Sequence, residues 1–194
     1  MARAAAANVF LNMPFESAGV YRDLLVAYVA GLAGLGFTAR TVLELPQHRN
    51  RLERLRKIIA QCSSSVHDLS CVAVSKGAPR FNMPFELGLV VVRPSAKCFV
   101  FESKPFRLQK TLSDLNGHDP LIHRGRPRDV IVKLRDVFRN GRRATTINEL
   151  LKLHADVRKL ATLIERDQGS LLGRQAFVDL VIGAQKIAKR QRLI

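Results

Sequence analysis

The sequence contains no tryptophan, two tyrosines, three cysteines, half as many acidic as basic residues, and no apolar run of bilayer length. Each shortage excludes something. Cys62, Cys71 and Cys98 are odd in number and show no Cys-x-x-Cys spacing, which argues against a disulfide framework and a zinc site and fits a reducing compartment. The longest apolar stretch, Leu24 to Phe37, carries Tyr28 and three glycines and falls short of the roughly 20 residues a membrane helix needs. Near the start, Asn8 and Asn12 interrupt MARAAAANVFLNMPFE before its apolar part reaches signal-peptide length. The expectation is a cytoplasmic protein with no membrane partner.

The acidic deficit is the strongest bias, with 32 Lys and Arg against 16 Asp and Glu and a formal charge of +16. Such a chain favours polyanionic or phosphate-bearing partners, without choosing between nucleic acid and a dinucleotide. At 47% hydrophobic and 25% charged it is globular and not disordered. Its 194 residues suit one α/β domain with an appended helical piece.

What the sequence does have is a repeat: NMPFE stands at 12–16 and again at 82–86. Strand and helix signals alternate around it. NVFLN is a short β-branched and aromatic run ending at the Pro14 turn, and reads as a buried first strand. YRDLLVAYVAGLAGLGF is apolar on more than one face, as a helix packed on a sheet should be, with Gly34 and Gly36 to close it. Phe37 to Leu45 reads as a second strand ending at Pro46. In HRNRLERLRKIIAQC, Leu52, Leu55 and Ile59 fall at helical spacing, with Arg49, Arg51, Arg54, Arg56 and Lys57 largely on the other faces.

A third strand is centred on Val66 to Leu69. The second NMPFE opens a helix, with Pro84 at its start and Glu86 in its first turn. KCFVFE forms a fourth strand, and FRLQKTLSDLNGHDPLIH a short helix and loop before a fifth. PRDVIVKLRDVFRNG is amphipathic, with Val130, Ile131, Leu134, Val137 and Phe138 inward and Gly141 as its stop. This alternation predicts an α/β fold, a parallel doubly wound sheet with right-handed crossovers, over residues 7–141. Over 142–194 the strand signals cease, and two amphipathic helices joined near Gly169 predict a C-terminal helical hairpin. Its apolar faces must pack on the sheet domain or on another subunit. The two NMPFE copies have different flanks, strand then loop against loop then helix, so they read as two turns lining one crevice and not as a duplicated unit.

In an open parallel sheet, ligands bind beyond the carboxyl ends of the strands. Four stretches map there: the turn with Asn12, Pro14 and Phe15; the strand end His67-Asp68; the helix start with Asn82; and the loop with Asp114 and Asp119. Asp68 and Glu86 would place two carboxylates in this crevice, which suits chemistry at a sugar anomeric carbon, where departure of the leaving group creates an oxocarbenium-like cation. A helix N-terminus would lower the pKa of Glu86 and keep it ionised, as a nucleophile or cation stabiliser requires. Asp68 would orient ribose hydroxyls. The same spacing also fits a helix cap at Glu86 and an Asp-Leu-Ser turn at Asp68. Tyr21 and Arg80 are further pocket candidates, the arginine for a phosphate, and Phe15 and Phe85 could stack on a base. Asn116, His118 and His123 add polar density, but their spacing matches no standard zinc pattern, and Gly117 with Pro120 explains much of the loop as turn chemistry.

Three of these stretches, NVFLNMPF, VHDLS and NMPFELG, resemble in order and spacing the nucleoside 2-deoxyribosyltransferase-like group, within the wider flavodoxin-like set that includes TIR domains. The resemblance spans Asn8 to Phe138. It implies a flavodoxin-like sheet, Phe15 in a base-facing turn, Asp68 at the sugar and Glu86 as the catalytic glutamate. The transferases usually carry an Asp-x-Gly-Thr element before that glutamate, and PRFNMP stands in its place here. Hydrolysis, as in TIR-type cleavage of the nicotinamide bond of NAD, is therefore implied at least as strongly as deoxyribosyl transfer. The expected activity is an N-glycosidase with NAD or a nucleoside as substrate and no separate cofactor, in a defence or toxin-type system, as a homo-oligomer joined through the C-terminal helices. The competing expectation is a non-catalytic module whose basic clusters at Arg49 to Lys57, Arg124 to Arg143 and Lys186 to Arg192 hold a nucleotide, a nucleic acid or a partner protein. No helix-turn-helix, zinc-finger or aromatic-interleaved RNA motif is present, which disfavours sequence-specific recognition.

Overall fold

The computed structural model describes residues 7–16, 19–45, 50–71, 81–93, 97–106, 119–138 and 145–194. Five strands, β1 (Ala7–Asn12), β2 (Phe37–Arg40), β3 (Ser64–Asp68), β4 (Lys97–Glu102) and β5 (Leu121–Ile122), pair in parallel in the order β2-β1-β3-β4-β5. This is the flavodoxin-like order, whose switch point falls between β1 and β3. The helices are α1 (Val20–Gly34), α2 (Arg51–Ala60), α3 (Asn82–Val91), α4 (Pro127–Val137), α5 (Ile147–Gln168) and α6 (Arg174–Arg190). The doubly wound α/β sheet and the C-terminal hairpin are both present.

Alternate side chains of the strands serve opposite faces. Val9, Leu11, Val66 and Phe101 join the core built with α1 and α4, whereas Phe10 packs with α2 and Leu69 with Met83 and Leu87 of α3. Because β3 is central and covered on both faces, all five of its residues are buried, including Ser64, Ser65, His67 and Asp68. Buried polar groups at the end of a central strand need internal partners, and those partners build the candidate site.

The hairpin forms a further layer, laid on the outer side of α1. That is why α1 is buried all round from Leu24 to Gly34. A Cβ at Gly34 would stand 2.5 Å from Leu150 Cδ2 and 2.8 Å from Leu153 Cδ2, so the absence of a side chain sets how closely α5 approaches. Arg22 fixes the same contact at its other end by an ion pair of 2.7 Å to Glu165. Reciprocal capping between Thr146 and Glu149 starts α5, and Gly169 at φ +78° ends it. The apolar face of the hairpin is therefore spent within its own chain, and one hydrophobic cluster runs from Val9 to Ala188.

Two local expectations are corrected. The second strand stops at Arg40 and does not run to Leu45, because Thr41 and Glu44 form a capping box around a 3-10 turn, Val42–Glu44, that takes the backbone out of the ladder. Leu52 is half exposed: the stripe that α2 buries is Leu55, Ile58 and Ile59, and Leu52 in the first turn falls outside it. The helix and loop expected before β5 fall largely on 107–118, and Gly141 on 139–144, outside the described residues.

Candidate functional site

At the carboxyl end of β1, Asn12 ties the two NMPFE copies together. Its Nδ2 donates to Nδ1 of His67, its register partner on β3, at 2.9 Å, and to the carbonyl oxygen of Met83 in the second copy, also at 2.9 Å. With Nδ1 accepting, the ring proton of His67 sits on Nε2, which is buried and has no hydrogen-bond partner among the described residues. Burial pushes His67 down from 6.5 to about 3, so the ring is neutral. Pro14 is buried as well, and Phe15, half buried, packs against the clusters on both faces of the sheet. Asn12 thus joins the turn after β1 to the end of β3 and to the first turn of α3, on both sides of the switch point.

At the end of β3, Asp68 is fully buried. Tyr28 Oη donates to its Oδ2 at 3.0 Å, and the backbone N–H of Ser70 donates to Oδ1 at 3.0 Å. Ser70 Oγ also donates to Oδ1. His123, immediately after β5, brings Nε2 to 2.9 Å from Ser70 Oγ and 3.3 Å from Asp68 Oδ2. The Gly125 N–H donates to His123 Nδ1 at 3.0 Å, in a turn where Arg124 and Gly125 have φ of +53° and +70°. A neutral His123 therefore carries its proton on Nε2 and donates it to Ser70 Oγ, which passes its own to Asp68. This chain lacks the wiring of a nucleophilic triad, in which the imidazole would accept from the serine. It is a rigid donor network that orients Ser70.

Ser70 and His123 open onto a cleft of about 280 Å³. The first turns of α1 (Val20, Tyr21 and Leu24) form one wall, and Ser103, Lys104, Arg124 and Gly125 form the other. Lys104 and Arg124 are exposed cations among its lining residues, and Val20 and Tyr21 bring the first turn of α1 to its edge. Burial foremost, then a hydrogen bond with Cys71 and the nearby charges of Asp68 and Glu16, holds the Tyr21 hydroxyl well above its usual range, so it stays a neutral donor. These features suit an anionic or phosphate-bearing ligand.

Glu86 departs from expectation in its ionisation. It is the fifth residue of α3, past the first turn where the helix dipole acts, and only 6% exposed. Burial pushes its carboxyl up from 4.5 to about 7, with Arg51 pulling weakly the other way. Its Oε2 is buried without a hydrogen-bond partner among the described residues. This corrects the expectation that the helix N-terminus keeps it ionised: desolvation outweighs the dipole.

The carboxylates of Asp68 and Glu86 are not brought together as a facing pair. Asp68 points towards α1 through Tyr28, whereas α3, which carries Glu86, covers the other face above β1 and β3. Asp68 is not among the residues that line the cleft; Ser70 and His123, which it holds, are. Asn82 is exposed at the start of α3, and Asp119 is exposed just before β5. Arg80 and Asp114 lie outside the described residues. The sequence marks His123 only as part of a polar loop and Arg124 only as part of a basic cluster, and it singles out none of Tyr28, Ser70, Ser103 or Lys104. Asp-Leu-Ser turn chemistry could have flagged Ser70, but nothing local marks Tyr28 as its partner across the core. Among the described residues no group of three or more His, Cys, Asp or Glu side chains could hold a metal, and no described helix is long and apolar enough to cross a membrane. Compared with known protein families, characterised proteins and solved structures, the chain matches none.

Proposed function

We propose that the protein is an N-glycosidase acting on a nucleotide, with Glu86 as its central group. The observation that carries this reading is a buried carboxyl beside the β1/β3 switch point, with one free oxygen and a pKa of about 7. In its ionised form Glu86 stabilises or captures the oxocarbenium-like cation; in its protonated form it can give a proton to a departing base. The cleft at Lys104, Arg124, Ser70 and the start of α1 would seat the phosphates. NAD is one candidate substrate and nucleoside phosphates are the other. They differ in a testable way, because the nicotinamide of NAD leaves without needing a proton whereas an ordinary purine leaves best when protonated.

The test is release of free base from NAD, NADP, nucleosides and nucleotides by wild type and by Glu86→Gln, followed by chromatography at several pH values. Turnover of NAD should rise with pH through 7, and turnover of a purine nucleotide should fall through the same range. Release that survives the substitution unchanged would remove Glu86 from the chemistry. A second reading, a non-catalytic nucleotide-binding module, draws on a cleft lined by cations and hydroxyls with no carboxylate among its lining residues. It predicts nucleotide binding that is unaltered in Glu86→Gln, with no base released by either protein.

A further inference from the structure

Two serine hydroxyls line the cleft, and both have already given away their protons. Ser70 Oγ donates to Asp68 Oδ1 and receives a hydrogen bond from His123 Nε2. A serine hydroxyl has one proton and two lone pairs, so what remains to Ser70 is a single acceptor site. Ser103, after the neighbouring strand β4, repeats the pattern: its Oγ donates to Glu102 Oε1 at 3.0 Å. Both carboxylates belong to fully buried residues. Turning either hydroxyl round would strip a charge-assisted hydrogen bond from a carboxylate that burial keeps from water.

The serines are therefore acceptors towards a ligand, and an acceptor is the wrong complement for a phosphate oxygen, which accepts as well. Donors for an anion stand elsewhere in the lining, on the exposed cations Lys104 and Arg124. The nine residues that line the cleft are all among those described, so its walls are fully defined. Its volume of about 280 Å³ lies at the lower end of the range for ligand sites, about 300–1,000 Å³, which suits a monosaccharide phosphate and is small for a whole dinucleotide.

We infer that this cleft binds a sugar phosphate, with the phosphate at Lys104 and Arg124 and hydroxyls of the sugar donating to Ser70 and Ser103. Two acceptors and two cations in one small cleft call for a ligand that carries donors and an anion on one small skeleton, and a phosphorylated polyol does so. A bare phosphate or pyrophosphate would leave both serine lone pairs unused. The inference rests on the proposed function only for a phosphate in this cleft, and not on Glu86. It adds that the sugar beside the phosphate is recognised through its hydroxyl protons.

The test is calorimetric titration of the full chain with ribose 5-phosphate and with ethyl phosphate, a phosphate ester that has no hydroxyl groups on its carbons. Wild type should bind ribose 5-phosphate roughly tenfold more tightly than ethyl phosphate. Ser103→Ala should weaken ribose 5-phosphate by about three- to tenfold, the worth of one hydrogen bond, and leave ethyl phosphate unchanged. The fold should tolerate this change, because Glu102 keeps the N–H groups of Ser103 and Lys104 as donors. Lys104→Ala should weaken both ligands. Equal affinity of wild type for the two esters, no binding of either, or a folded Ser103→Ala protein that loses both alike would each overturn the inference. Ribose 5-phosphate has no N-glycosidic bond, so its binding and the release of base from nucleotides stand or fall separately.

Discussion

Glu86→Gln should remove a pH dependence of stability that can be worked out from the burial of one carboxyl. In the unfolded chain Glu86 ionises near 4.5, whereas in the folded protein burial delays ionisation to about 7. Between these values the folded state holds a proton that the unfolded state has released, so stability falls as pH rises. Its contribution is fully present below pH 4.5 and is lost as pH rises through about 7. Each pH unit in this window is worth about 1.4 kcal/mol, and the whole descent comes to about 3 kcal/mol. Glutamine fills nearly the same space and does not titrate. Urea unfolding of both proteins at intervals from pH 4 to 8, at one protein concentration, gives the difference in unfolding free energy. Relative to wild type, Glu86→Gln should gain about 3 kcal/mol on going from pH 4.5 to 7, even though it loses the proposed activity. A difference that stays flat across this range would refute both the burial of the ionising group and the argument that desolvation outweighs the helix dipole.

Other perturbations test the rest of the structure. His67 is buried neutral with a pKa of about 3, so the unfolded chain binds a proton below 6.5 that the folded one refuses; stability is lost as pH falls below 6.5, by about 2 kcal/mol at pH 5. His67→Gln, which keeps an acceptor for the Asn12 amide, should flatten this acid limb in the same urea series. Tyr28→Phe removes a buried donor to Asp68 and should cost about 1–3 kcal/mol in unfolding free energy. Gly34→Ala should destabilise by about 1–3 kcal/mol, because the new Cβ forces Leu150 and Leu153 away from α1. Lys104→Ala and Arg124→Ala should weaken nucleotide binding, and reduce its salt dependence, without lowering the thermal midpoint, since both side chains are exposed on the cleft rim.

Hydrophobic period and local breakers determined the elements. β4 falls on KCFVFE, α4 runs along the stripe Val130, Ile131 and Leu134, and Gly169 closes α5, because each depends on residues within a few positions of one another. The parallel order followed too, since alternating strands and helices leave few other ways to cover both faces of a sheet. Only the tertiary structure decided where the hairpin lies, for its apolar faces would have served equally well against another subunit. The site was decided at the same level. Asp68 and Ser70 meet His123 from more than fifty residues away, and Tyr28 reaches Asp68 across the core, through contacts that no local pattern encodes. Sequence position placed Glu86 near a helix start and argued for a lowered pKa, but ionisation depends on how much water surrounds the carboxyl, and that was fixed only when α3 packed down on β1 and β3.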